Sequence, residues 1–223
     1  ADAGLVVHTH SGEADFRSYG ENVAMYISEV PFWTHRILWQ LLFSGKFDKY
    51  PNLRYAVVEC GSYWVGDLLW KADVNFGASW KVKKMGSRMK GLITRLPSEY
   101  FGTNVFIGAS TMSVEEIRRR HTNGIDALMW GTDYPHPEGS WPHTRERLEN
   151  DFRDVPIEDA RLLLGLNAID CYGLDEAGLR QVADRVGPTP EQLGQDPGLR
   201  TAEGATRTAR WWLDEYGCEM QYA

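Results

Sequence analysis

Three apolar runs in this chain end in groups that bind cations or move protons. Leu5-Val6-Val7-His8-Thr9-His10 places two imidazoles at the end of a β-branched stretch. Leu53-Arg54-Tyr55-Ala56-Val57-Val58 ends in Glu59, and Ala127-Leu128-Met129-Trp130-Gly131-Thr132 ends in Asp133. Beyond Asp133 the chain turns through Tyr134-Pro135-His136-Pro137-Glu138-Gly139-Ser140-Trp141-Pro142, which adds an imidazole and a carboxylate. On a strand His8 and His10 share a face, because side chains alternate. Imidazole and carboxylate ligands suit zinc, manganese or iron. A cation held by them lowers the pKa of bound water or polarises a substrate oxygen, and a neighbouring carboxylate accepts or delivers a proton.

Each residue alone has a plainer reading. A His-x-His pair is compatible with buried, hydrogen-bonded histidines. Glu59 fits a strand-end salt bridge, Asp133 a cap on the turn at Tyr134-Pro135, and His136 a loop residue between two prolines. His35 reads as a helix-packing residue, His121 as a surface group near a helix C-terminus where the dipole favours a cation, and His143 as part of a helix start. What favours a site is the shared position of His8 (with His10), Glu59 and Asp133 at strand ends, where barrels of parallel strands carry their chemistry.

The elements that must position these groups alternate. After the strand at 5–9 a polar, aromatic loop runs through Tyr26, and Pro31 opens an apolar helix that includes Trp33 and Trp39. A second buried strand at 53–59 leads to Ser62, which can cap a helix from Tyr63 to about Asn75. Residues 81–90 form a basic, solvated stretch, and Asn104 to Ala109 is a third strand. Ser113-Val114-Glu115-Glu116 is a capping-box pattern opening a helix. The fourth strand spans Ala127 to Gly131. Helices follow at His143–Phe152 and from Pro156 through Leu164, with Gly165 and Asn167 at its end. Strand, loop and helix alternating four times imply parallel strands joined by crossover helices. After Gly173 the composition turns polar. We therefore divide the chain into a domain at 1–173 and a helical extension at 174–223, in which 179–186 is amphipathic and Trp211-Trp212 adds aromatic bulk. The first strand reads as buried yet has no earlier element to pair with, so an N-terminal portion is expected to precede it.

Of the 223 residues, 43% are hydrophobic and 25% charged, the balance of an ordinary globular protein. A net charge of -7 without a basic stripe argues against nucleic acid as a partner. No apolar run is long enough to span a bilayer, and no secretory signal opens the chain. The 3 Cys are widely spaced and odd in number, which fits reduced thiols in a cytoplasm and excludes a cysteine-based zinc site.

The segment Met129-Trp130-Gly131-Thr132-Asp133-Tyr134-Pro135-His136 resembles the last-strand motif of the amidohydrolase-related family, metal-dependent barrel enzymes that include several decarboxylases. Val6-Val7-His8-Thr9 looks like that family's fifth-strand histidine. Phe47-Asp48-Lys49-Tyr50-Pro51-Asn52-Leu53-Arg54 with Val57-Val58-Glu59 is similar to its approach to strand six, and Leu164 to Gly173 resembles its closing helix. The match covers roughly 5–175 and implies a (β/α)8 TIM barrel represented by strands five to eight. It implies one divalent metal ion, with zinc first and manganese or iron next, and hydrolysis or decarboxylation of a small carboxylated substrate. By the resemblance His8 and Asp133 are metal ligands, with His10 the second choice. Asp133 and Glu59 are the catalytic proton-handling groups, and His10, His136 and Glu138 face the substrate. Two departures stand out. The family's first-strand ligand pair has no counterpart here, and Glu59 occupies a position where many of its decarboxylases carry His. The competing reading is a non-catalytic fragment or pseudoenzyme subunit that needs a partner to complete the barrel. A third is another parallel α/β enzyme with His8 and Asp133 as cleft residues. An incomplete barrel and an aromatic tail point to a homo-oligomer.

Overall fold

Four short β-forming runs build one sheet in the computed structural model, which describes residues 3–11, 15–20, 22–81, 92–110 and 112–200. The strands are β1 (Val6–His10), β2 (Arg54–Val58), β3 (Val105–Gly108) and β4 (Leu128–Met129). All are parallel and lie side by side in sequence order. Parallel neighbours require long crossovers. These contain α1 (Val23–Leu42) and α2 (Lys46–Lys49), then α3 (Val65–Lys81), then α4 (Val114–Arg118). After β4 come α5 (Thr144–Phe152), α6 (Ile157–Arg161), a π-helical turn at Leu162–Leu166, α7 (Asn167–Tyr172) and α8 (Glu176–Val186). The register pairs His10 with Val58, Val58 with Gly108, and Gly108 with Met129, so the strands' C-terminal ends lie level.

Side chains alternate between two faces, as strand geometry demands. Tyr55, Val57, Val105, Ile107 and Leu128 join Leu38, Leu42, Leu69 and Phe152 in the main core under the crossover helices. Ala56, Phe106 and Met129 form a smaller cluster on the other face, covered by Cys171 and Ala168 from the end of the chain's long closing helix. That helix is anchored by Asn167, whose Nδ2 donates to the carbonyls of Ile125 (2.7 Å) and Leu128 (2.6 Å). Within the π-helical turn the Leu163 carbonyl accepts from Trp130 N–H at 2.9 Å, which fastens the helix to the end of β4.

The architecture is the expected α/β class with a parallel sheet, and several local expectations are corrected. Strand β1 is not buried: among the described residues it has a neighbour on one side only, and Leu5 and Val7 are 73% and 51% exposed. Helix α1 does not begin at Pro31. It starts after Asn22, whose side chain accepts from Met25 N–H, and it carries Pro31 inside. Trp33 is 42% exposed, so this helix is only partly core. The Ser62 hydroxyl does not cap α3; it donates to Glu116 at 3.1 Å. The closing helix runs on past Gly165 and Asn167 to Tyr172, where Gly173 takes a left-handed φ of 64°. His121 is not a surface group: its Nε2 lies 3.0 Å from Asp159, which also holds Arg120 at 2.7 Å. The basic stretch at 82–90 and Trp211-Trp212 lie outside the described residues. Among the described residues no helix is long and apolar enough to cross a membrane.

Candidate metal centre

The level strand ends carry three non-glycine residues with left-handed backbone: Glu59 (φ 58°) after β2, Ser110 (φ 48°) beyond β3, and Asp133 (φ 57°) beyond β4. Such a conformation is uncommon for side-chain-bearing residues and costs about 1–3 kcal/mol each. Hydrogen bonds that prolong the sheet hold it. Glu59 N–H donates to Gly108 at 2.9 Å, Ala109 N–H to Met129 at 3.0 Å, and Gly131 N–H to Ser110 at 3.0 Å. The turn redirects each chain just past its last ladder bond.

The result is a compact donor group. Ligand atoms of Glu59, Asp133 and His136 all lie within 4.8 Å of one another. The Asp133 and Glu59 side chains are 23% and 25% exposed, and His136 is open to solvent. His136 Nδ1 sits 3.6 Å from Asp133 Oδ2 and accepts from Glu138 N–H at 3.3 Å. Two carboxylates and an imidazole that converge with little hydrogen bonding of their own fit a divalent cation in charge and ligand type.

The loop after Asp133 is braced from within. His136 N–H donates to Asp133 (2.8 Å), Gly139 N–H to His136 (2.9 Å), and Ser140 N–H to Thr132 (2.9 Å). A Cβ on Gly139 would stand 2.8 Å from the Thr132 carbonyl oxygen and 2.9 Å from those of Asp133 and His136, so glycine is required there. Tyr134 and Trp141 leave this loop as an exposed edge-to-face pair, ring centres 5.8 Å apart.

Of the two β1 histidines, His10 reaches the group: its Nε2 contacts Glu59 Oε2, and its Nδ1 lies 2.8 Å from the Ser11 carbonyl oxygen. His8 lies outside it, with its ring 5.6 Å from that of Tyr172. Glu138 is exposed and touches the group through its backbone N–H to His136. His35 is buried on α1 against Trp64, ring centres 3.5 Å apart, and burial pushes its pKa down to about 4. The Trp64 indole N–H in turn holds the carbonyl of Cys60, next to Glu59, at 2.8 Å. Cys60 and Cys171 are buried free thiols whose pKa values burial raises, the latter to about 12, so neither is a ready nucleophile. Sequence reasoning passed over Ser110 and the long reach of Glu116. The Ser113–Glu116 capping box was readable, but its second partner, Ser62, is 54 residues away from Glu116.

Comparison with known proteins follows the same lines. The family profile described as Amidohydrolase matches residues 1–174. A search of curated proteins finds no match. Among solved structures, 5-carboxyvanillate decarboxylase LigW from Sphingomonas paucimobilis is 23% identical, with a TM-score of 0.58 over 78% of this chain and 51% of that one. An amidohydrolase from Mycobacterium avium subsp. paratuberculosis K-10 is 22% identical, with a TM-score of 0.56 over 79% of this chain and 44% of that one. A dihydroxybenzoic acid decarboxylase from Polaromonas sp. JS666, solved with bound manganese and the inhibitor 2-nitroresorcinol, is 19% identical, with a TM-score of 0.51 over 79% and 52%. The chain thus spans about half the length of the solved structures it matches.

Proposed function

We propose, from the premise that this chain belongs to the amidohydrolase family, that it is the C-terminal half of a metal-dependent (β/α)8-barrel enzyme that decarboxylates a small carboxylated aromatic substrate. In this reading β1 to β4 are strands five to eight of the barrel. The observation that carries it is the convergence of Glu59, Asp133 and His136 at the C-terminal ends of parallel strands, where barrel enzymes do their chemistry. These three residues would hold one divalent cation; manganese suits the oxygen-rich set as well as zinc does. When bound, such a cation polarises a substrate oxygen and offsets negative charge. We assign the contribution of β1 to His10 rather than His8, because His10 lies against Glu59 whereas His8 packs beside Tyr172.

The protein's own groups then divide the work. Asp133 and His136 would hold the cation together with Glu59, and the loop on which the first two stand fixes their separation. Glu59 with His10 forms a carboxylate–imidazole pair suited to moving a proton. In decarboxylation the bond between the ring carbon and the carboxylate breaks, CO2 leaves, and the electron pair left on the ring carbon takes a proton, which this pair delivers. Glu59 therefore serves, together with His10, where a lone histidine serves in many relatives. In the hydrolytic variant the same pair takes a proton from water. The decarboxylases among the structural neighbours favour the first course.

The test combines elemental analysis with turnover of a panel of hydroxylated benzoic acids, read as CO2 release. About one divalent ion per chain is expected, and Asp133→Asn should lose both the ion and about 10²–10⁴-fold in rate. No bound ion, and CO2 release unchanged by Asp133→Asn, would contradict the proposal.

A further inference from the structure

We propose that Glu116 is a positioning residue for the centre: its carboxylate ties the loop after β2 to the loop after β3 and so sets the spacing between Glu59 and Asp133. The proposal rests on the cation-binding reading above. Glu116 Oε1 accepts from the backbone N–H of Ser62 and, at 3.1 Å, from its hydroxyl. Oε2 accepts from the N–H and the hydroxyl of Ser113, both at 2.9 Å.

Each partner leads directly to the site. Ser62 lies three residues past Glu59. Ser113 follows left-handed Ser110, whose carbonyl accepts from Met112 N–H and from Gly131 N–H, both at 3.0 Å; Gly131 is two residues before Asp133. One carboxylate with all four acceptor directions in use therefore connects the loop that carries Glu59 to the loop on which the Asp133 segment is hydrogen-bonded. A helix-capping role explains only the half directed at Ser113; the half directed at Ser62 joins two strand ends. Gly61 leaves room for it, since a Cβ there would stand 3.1 Å from Glu116 Oε1, and its φ of 59° suits glycine. An amide in place of the carboxylate keeps one accepting oxygen but turns the other corner into a donor. That corner would face N–H and O–H donors, and one loop would be released.

The experiment is calorimetric titration of Mn²⁺ into wild type, Glu116→Gln and Asp159→Asn, with a thermal melt of each. Asp159→Asn removes the buried charge that holds Arg120 and His121, so its melting temperature should fall while its Mn²⁺ affinity stays within about twofold of wild type. Glu116→Gln should bind Mn²⁺ about 10–100-fold more weakly, the usual scale for removing a residue that orients a metal ligand. If Glu116→Gln does not fold, Glu116→Asp, one methylene too short to reach both serines, carries the same expectation. Wild-type affinity in the Glu116 variant, or an equal loss in Asp159→Asn, would overturn the proposal. Absence of Mn²⁺ binding in wild type would instead strike at the cation-binding reading, and with it this one.

Discussion

Glu59, Ser110 and Asp133 show how a site is bought from backbone geometry. Each adopts a left-handed conformation that an isolated residue avoids, and each is held there by the ladder bonds just beyond its strand. The carboxylates of Glu59 and Asp133 thereby reach His136 over the ends of the strands. The arrangement is least forgiving at Gly139, where three carbonyl oxygens occupy the space a Cβ would need. Gly139→Ala should displace the loop between Asp133 and Ser140 and weaken cation affinity by about tenfold or more; unchanged affinity in a titration would refute this. His35 carries a pH prediction. Burial lowers its pKa from 6.5 to about 4. Below pH 6.5 the unfolded chain takes up a proton that the folded one refuses, so the contribution of this group is intact above 6.5 and declines as pH falls toward 4. Urea midpoints of wild type should therefore drop more steeply between pH 6.5 and 4 than those of His35→Phe. Parallel pH profiles would show that His35 is not the group responsible.

At the scale of elements, the closing helix depends on one buried amide. Asn167 is 2% exposed, and its side chain satisfies the carbonyls of Ile125 and Leu128 at once. Asn167→Ala takes the side-chain donor from the Leu128 carbonyl and leaves the Ile125 carbonyl only the Leu128 N–H, and should cost about 1–3 kcal/mol, read by chemical denaturation; a loss under 1 kcal/mol would mean the helix is anchored elsewhere. This element also marks what the sequence could and could not disclose. The β-branched runs ending in His10, Glu59 and Asp133 are legible because strand formation is local. So is the capping box at Ser113, because its partners lie three residues apart. The start of α1 was hidden, since Val23, Met25 and Ile27 are exposed and Pro31 imitates a first turn. The continuation of the closing helix past Gly165 is hidden too, because a π turn that gives the Leu163 carbonyl to Trp130 has no compositional signature. The choice of His10 over His8 beside Glu59, the Asp159 partner of His121, and the reach of Glu116 to Ser62 all depend on contacts between distant segments, which spacing cannot report.

For the whole molecule, the four strands among the described residues form one open sheet with β1 at one edge, and the chain spans about half the length of the structures it resembles. Closure of a barrel would leave no free edge. The three residues proposed to hold the cation follow β2 and β4, with His10 of β1 against Glu59. Cation binding should therefore stabilise the chain as it stands, because a ligand that prefers the folded state raises stability by mass action, about 2.7 kcal/mol at a hundredfold excess over Kd. The most direct measurement is a thermal melt of wild type and Asp133→Asn across a series of Mn²⁺ concentrations, with Mg²⁺ as a control. The account predicts a melting temperature that climbs with Mn²⁺ in wild type and stays flat in Asp133→Asn. Equal responses in the two proteins, or none in wild type, would contradict it.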